Sequence, residues 1–303
     1  VAENEFTYPQ PWWVDDHGFV LLFTKYTQGR ELYWRTSDPE GRHWAEDRKL
    51  VGMGGHYQVS NERQGRVITA FNMHPDGNVD RRTNLYFVQT DDRGRTWRTA
   101  SGEIVDTPIS DPASPALVRD YQADGRLVYL KDVAFTVQDN PVILYVTSAN
   151  HEPGPGGEPR TWTIAHWTGD AWAFHEVTTS THNYDMGSLY IEPDGSWRII
   201  APTESGPQRW GTGGEIAIWI SDNEGKSWTK VRDVTRNSPR NHAYVRRPLN
   251  AHPDFYAFWA DGNPDEMSES RLYFTEKSGE QVWSLPYDME DMYAAPIPIY
   301  PEE

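Results

Sequence analysis

The sequence predicts an all-β fold, a five-bladed β-propeller forming one domain over residues 1–303. Three observations lead there. A turn motif recurs, S/T-x-D/N-x-G-x-S/T-W (the Asp box). The tryptophans that end its copies, Trp44, Trp97, Trp172, Trp228 and Trp283, lie 53, 75, 56 and 55 residues apart, the period of a four-stranded blade with generous loops. Upstream of each copy, two short apolar runs flank turn chemistry, and no amphipathic helical period is found anywhere.

The elements follow in order. Hairpins are read at "PWWVDDHGFVLLFT" (11–24), "HYQVSNERQGRVITAF" (56–71), "DVAFTVQDNPVILYV" (132–146), "YDMGSLYIEPDGSWRII" (184–200) and "AYVRRPLNAHPDFYAFW" (243–259). Their turns carry DHG, ERQG, QDNP, EPDG and AHPD, residues that supply tight-turn geometry. Two Asp boxes are intact, "TDDRGRTW" (90–97) and "SDNEGKSW" (221–228); "SDPEGRHW" (37–44) has Pro39 at the acidic position, and "TGDAW" and "SGEQVW" are more worn. In such a turn the acidic side chain bonds backbone amides, glycine supplies the positive φ, and the tryptophan packs between sheets. The motif therefore reports architecture, not chemistry. Residues 100–130 read as an insertion, with a sixth blade as the alternative.

Composition narrows the ligand. The chain has 45 acidic and 28 basic residues, a formal charge of −17, which argues against nucleic acid or an anionic membrane as partner. No run approaches the roughly 20 apolar residues of a membrane span. An export signal is expected to have been removed, and a secreted or periplasmic monomer is the expectation. With no cysteine, disulfides, zinc-thiolate sites and thiol nucleophiles are excluded. The 14 Trp and 16 Tyr suit packing between sheets and stacking on sugar rings.

Propeller geometry gathers the remaining polar residues. The loops entering each innermost strand and those joining second and third strands emerge on one face, opposite the Asp boxes. The first set brings Tyr8, His56, Tyr57, Lys131, Asp132, His182, Tyr184, Asp185, His242 and Tyr244, with Arg246 and Arg247 following. The second brings Asn72, His74, Arg81, Arg82, His151, Glu152, Arg160, Glu204, Arg209, Asp261, Asn263 and Arg271. Successive strand residues point to opposite faces, so at most one of Arg246 and Arg247 serves the site. Each lone His has a bland reading, a ring bonded to neighbouring backbone; three at equivalent positions of three repeats argue together for function. The expected catalytic set is His56, His182, His242, Tyr184 and Tyr244. The expected substrate-binding set is Tyr57, Asn72, His74, Arg81, Lys131, Asp132, Asp185, Arg209, Arg246, Arg247 and Asp261.

Histidines, tyrosines and arginines with few central carboxylates fit an anionic, hydroxyl-rich ligand. Arginine grips a carboxylate in a bidentate way, and His and Tyr carry protons. On a uronate glycan that chemistry is β-elimination. Hydrolysis instead needs a carboxyl pair at about 5–5.5 Å or 6.5–9.5 Å, for which Asp132, Asp185, Glu204 and Asp261 are the candidates. A non-catalytic glycan-binding protein is the third reading. No cofactor or metal is required, and the acidic loops leave room for a structural calcium ion.

The Asp boxes, "FTYPQPWW", the stretch from "GGHYQVS" to "FNMHP", and "RNHAYVRRP" with "FWADG" resemble BNR-repeat, sialidase-like propeller proteins of bacterial polysaccharide-degrading systems. The resemblance spans nearly the whole chain. It implies a carbohydrate-active enzyme acting on an anionic polysaccharide or oligosaccharide. Relatives of the ulvan-lyase type imply a lyase with His, Tyr and Arg at the channel mouth. Those lyases have seven blades against the five counted here, so only role types carry over. The sialidase set of three arginines, an acid and a Tyr–Glu pair is not found complete, with Arg30 or Arg35 as candidates for its early arginine.

Overall fold

The computed structural model describes residues 6–299. Among them the chain forms five antiparallel sheets. The first runs β1 (Phe6–Val14), β2 (Gly18–Tyr26), β3 (Arg30–Thr36), β4 (Arg48–Val51). The second runs β5 (Gln58–Arg63), β6 (Arg66–Met73), β7 (Thr83–Thr90), β8 (Trp97–Arg98), β9 (Ile104–Val105), and β10 (Leu117–Arg119) also pairs β7. The third runs β11 (Leu127–Phe135), β12 (Pro141–Ser148), β13 (Arg160–Trp167), β14 (Trp172–Ser180). The fourth runs β15 (Ser188–Ile191), β16 (Trp197–Glu204), β17 (Glu215–Ser221), β18 (Thr229–Asp233). The fifth runs β19 (Asn241–Arg246), β20 (Ala257–Gly262), β21 (Leu272–Thr275), β22 (Val282–Ser284), β23 (Ile297–Pro298). Chain order is sheet order, as short hairpin connections dictate. All five hairpins expected from the sequence form, as the first two strands of each sheet. The insertion builds no sheet of its own: Ile109 bonds Leu50 and Gly52 at the edge of the first sheet, and β10 joins the second. No helix among the described residues is long and apolar enough to cross a membrane.

The chain divides into two compact units, residues up to 151 with 165–174, and 152–164 with 175 onward. The two-residue period of a strand builds the first unit's core. Val67, Phe71 and Met73 of β6 and Tyr86 and Val88 of β7 join Val20, Leu22, Leu32, Trp34 and Trp97 in one apolar cluster. The alternate residues, Ile68, Ala70, Leu85 and Phe87, join Val128, Val133, Ile143 and Tyr145 in another. Both faces of these strands are covered, which explains why they read as continuous apolar runs. The core of the second unit is Tyr190, Ile200, Ile216, Ile218, Val245, Tyr256 and Trp259. Its strand β18, TKVRD, is largely exposed, and its two cations suit a sheet edge.

The Asp boxes form the turns expected of them. Asp92 Oδ1 accepts the Thr96 N–H at 2.9 Å, and Asn223 Oδ1 accepts the Ser227 N–H at 2.9 Å. In the worn copy the carboxylate has moved one residue back: Asp38 Oδ1 accepts the Arg42 N–H at 2.8 Å, so Pro39 costs the turn little. Gly94 sits at φ 81, and a Cβ there would meet the Trp34 ring at 2.7 Å. Of the five box tryptophans only Trp97 is fully buried; Trp44, Trp172, Trp228 and Trp283 are half-buried.

Candidate functional site

In the first unit, the segment entering β5 is built around His56. Its Nε2 accepts the Met53 N–H at 3.0 Å, so its proton sits on Nδ1 and is donated to the Asn72 carbonyl at 2.8 Å. Burial pushes its pKa down to about 4, which keeps the ring neutral. Asn72 is equally fixed: Oδ1 accepts the Tyr57 N–H at 2.9 Å and Nδ2 donates to the Val128 carbonyl at 3.0 Å. Gly55 lets the chain pass beneath His74, where a Cβ would meet Nδ1 at 2.6 Å. His56 and Asn72 thus set Tyr57 and His74 side by side, with ring centroids 5.0 Å apart.

Around Tyr57 rings and cations alternate. The Arg30 guanidinium lies 5.4 Å from the Tyr26 ring and 5.2 Å from the Tyr57 ring. Arg82 lies 4.8 Å from Tyr57 and 4.6 Å from Tyr129, and the Lys131 ammonium is 5.8 Å from Tyr129. Such placements are attractive because the ring faces are electron-rich. The Tyr57 hydroxyl accepts a hydrogen bond from Arg30 Nη1, and the Tyr8 ring lies edge-on to the Tyr57 ring with centroids 5.3 Å apart. Tyr8 is about half exposed and sits at φ 54, a backbone cost tolerated more often at functional sites than elsewhere. Burial, then the neighbouring Tyr8, pushes the Tyr57 pKa up to about 12 against the pull of Arg30 and Arg82. His74 is only 1 % exposed, and its Nε2 has no hydrogen-bond partner. Burial first, then its neighbours His56, Arg82 and Arg30, push its pKa down to about 3. A cavity of about 280 Å³ opens on this cluster, lined in part by Tyr26, Gln28, Arg30 and His74.

Other expected residues of this unit lie at its margin. Arg81 is exposed and pairs with Asp76 at 3.0 Å, while its neighbour Arg82 turns inward and donates from Nε to the Val79 carbonyl at 2.7 Å. Asp132 accepts the N–H of Val133 at 2.8 Å, beside a bulge in β11. Lys131 is buried.

In the second unit, Asp185 is fully buried and accepts the His182 N–H at 3.0 Å and the Gly213 N–H at 2.7 Å. It holds the turn that carries His182 and Tyr184, whose rings lie 5.7 Å apart. His182 Nδ1 is bonded by the Tyr184 N–H at 3.1 Å. His242 has both ring nitrogens engaged. Trp259 Nε1–H donates to Nδ1 at 2.9 Å, so Nε2 carries the proton and donates to Ser238 Oγ at 2.9 Å, which in turn donates to Glu215 at 2.8 Å. Burial pushes the His242 pKa down to about 4. Asp261 is held by Arg240, the Tyr273 hydroxyl at 3.0 Å and the Arg271 N–H at 2.7 Å. Tyr244 is half exposed at φ 60, on an irregularity of β19. Arg246 stacks toward Tyr244 at 5.7 Å and Arg247 toward Tyr190 at 5.8 Å, so the two part as strand alternation requires. Arg209 is exposed and lies 4.7 Å from the Trp210 ring.

The residues of this candidate site not anticipated are Tyr26 and Tyr129, while Arg30 and Arg82 entered only as secondary candidates. No local pattern marks the two tyrosines; they reach the cluster through β2 and β11. Among the described residues no three His, Cys, Asp or Glu side chains group so as to hold a metal ion.

Known structures resemble this fold. An ulvan lyase from a polysaccharide lyase family matches with TM-score 0.75 at 16% identity, covering 90% of this chain and 65% of its own. The chain therefore spans about 65% of the length of that lyase. A Trypanosoma rangeli sialidase in complex with an inhibitor matches with TM-score 0.52 at 12% identity, covering 93% of this chain and 48% of its own. An α-L-arabinofuranosidase from Fusarium graminearum matches with TM-score 0.54 at 14% identity, covering 93% of this chain and 81% of its own. These likenesses make the fold β-propeller-like. No curated protein matches in sequence. Residues 1–180, more than half of the chain, match the BNR repeat-containing family, and the chain belongs to that family.

Proposed function

We propose that the protein is a carbohydrate-active enzyme, a lyase that cleaves a uronate-containing polysaccharide or oligosaccharide outside the cytoplasm, and that its five sheets are propeller blades. The observation that carries this reading is the Tyr57 hydroxyl, flanked by the guanidiniums of Arg30 and Arg82 and set against the neutral ring of His74. The ulvan lyase similar in fold is described bound to an oligosaccharide of glucuronate and sulfated rhamnose, which supports an anionic glycan as substrate.

In this mechanism the guanidiniums neutralise the substrate carboxylate, which makes the proton on the adjacent C5 more acidic. His74, neutral at working pH, takes that proton; the C4–O bond breaks as the C4=C5 bond forms. Tyr57, which keeps its own proton, gives it to the leaving oxygen. His56 and Asn72 hold the pair in place. In the second unit, taken by itself, the engaged tautomer of His242 suits a positioning role.

Hydrolysis keeps one specific support: Glu204 and Glu215 stand opposite each other on β16 and β17, beside a cavity of about 500 Å³. The test is incubation with a panel of uronate polysaccharides and mass spectrometry of the products. Elimination leaves an unsaturated product one water lighter than hydrolysis. Tyr57→Phe keeps the ring between the arginines and removes the donor, so turnover is expected to fall about 10²–10³-fold. Products that carry the added water, or wild-type turnover by Tyr57→Phe, overturn the lyase reading; binding of the glycans with no cleavage makes the protein a lectin.

A further inference from the structure

We infer that the cavity beside Arg30 is a subsite for a neutral sugar, the residue linked to the uronate. The inference rests on the uronate reading of the Tyr57 site. The two places share a wall, because Arg30 and His74 line the cavity and also touch Tyr57. A glycan held by its carboxylate at Arg30 thus has this opening within reach of its next residue.

The lining says what kind of residue fits. The volume, about 280 Å³, lies just below the range of about 300–1,000 Å³ typical of drug-sized ligands, and suits one ring rather than two. Tyr26 is 44% exposed at the rim and offers an apolar ring face of the kind on which sugar C–H faces stack. The Gln28 amide is exposed and can both donate to and accept from hydroxyls. Thr27 donates to the carboxylate of Glu31, which is itself paired with Lys49 at 2.7 Å. His74 contributes a buried Nε2 that has no partner within the protein.

Charge decides between a neutral and an anionic occupant. Among the described residues lining the cavity, Arg30 alone is charged at neutral pH, and its guanidinium already serves the Tyr57 side. A second carboxylate or a sulfate would lack a cation of its own here, since Arg30 is already shared with the uronate. Burying an anion without a partner is costly, whereas hydroxyls meet neutral donors and acceptors here.

Isothermal titration with three probes tests the idea: glucuronate alone, disaccharides of glucuronate and a neutral sugar in either linkage order, and a disaccharide of two uronates. One of the mixed disaccharides is expected to bind the wild type at least tenfold tighter than glucuronate, and the diuronate is not. Tyr26→Ala is expected to erase that gain, so that the variant binds the mixed disaccharide no tighter than it binds glucuronate. Gln28→Ala is expected to reduce it, and serves should Tyr26→Ala fail to fold. If glucuronate binds but the mixed disaccharides gain nothing, the subsite is refuted alone. The same holds if Tyr26→Ala keeps the full gain or the diuronate gains as much. If no uronate probe binds the wild type, the site reading fails and takes the subsite with it.

Discussion

Lowering the pH from 7 to 5 is expected to destabilise the protein through three of its buried histidines. His56 and His242 are held near pKa 4 and His74 near 3 by burial, while an unfolded histidine titrates near 6.5. Between those values the unfolded chain binds protons that the folded chain refuses, so stability falls as the pH falls. At pH 5 an unfolded histidine is almost wholly protonated and each buried one almost wholly neutral. The loss from pH 7 to pH 5 is then about 2 kcal/mol per ring, or about 4 kcal/mol for the first unit and about 2 kcal/mol for the second. Carboxylates whose pKa is lowered, such as Glu31, Asp92 and Glu192, add their loss only below about pH 5, which leaves this window to the histidines. Urea unfolding at pH 7, 6 and 5, followed by tryptophan fluorescence, measures the slope. Proton NMR of the folded protein should show these three rings failing to titrate in the same range. Unfolding free energies that agree within about 0.5 kcal/mol at pH 7 and pH 5 would refute the assignment of neutral, buried rings.

Two more outcomes follow from packing. Trp97→Ala removes a fully buried ring beside Trp34 and is expected to cost about 3–5 kcal/mol of stability in urea melts. Trp228→Ala, half-buried and bonded to the Gly225 carbonyl at 3.0 Å, is expected to cost about 1 kcal/mol, so equal losses would contradict the burial difference. Gly55→Ala places a methyl against His74 and is expected to cut turnover on a uronate glycan by at least tenfold with little change in substrate affinity; steady-state kinetics separates the two effects.

The hairpins and box turns were legible because their signals are local: a turn dipeptide, a glycine at positive φ, an apolar run of strand length. Alternation within β6 and β7 likewise sorts residues into two cores. The candidate site was legible only in part. "GGHY" and "FNMHP" named His56, Tyr57, Asn72 and His74, yet their roles depend on hydrogen bonds between strands that no spacing reveals. His242 looked like its counterparts until Trp259, 17 residues away, proved to occupy its Nδ1. Arg81 and Arg82 could not be told apart, since a short 3-10 turn has no inward and outward period to read. Tyr26, Arg30 and Tyr129 belong to strands or strand ends whose partners lie far off in sequence, so their meeting is a property of the folded sheets alone.

The row Tyr26, Arg30, Tyr57, Arg82 and Tyr129 draws its members from the first three sheets and the loops that lead into them. The side chains of the proposed site are thus the same ones that clasp those sheets together. A molecule gripped there reports itself through heat resistance, with no need for the reaction to be known. Occupancy at a hundred times the dissociation constant adds about 2.7 kcal/mol to the folded state. A melting screen of uronates, neutral sugars and their mixed oligomers would rank ligands by how firmly they fasten the row, even in a variant that has lost all turnover.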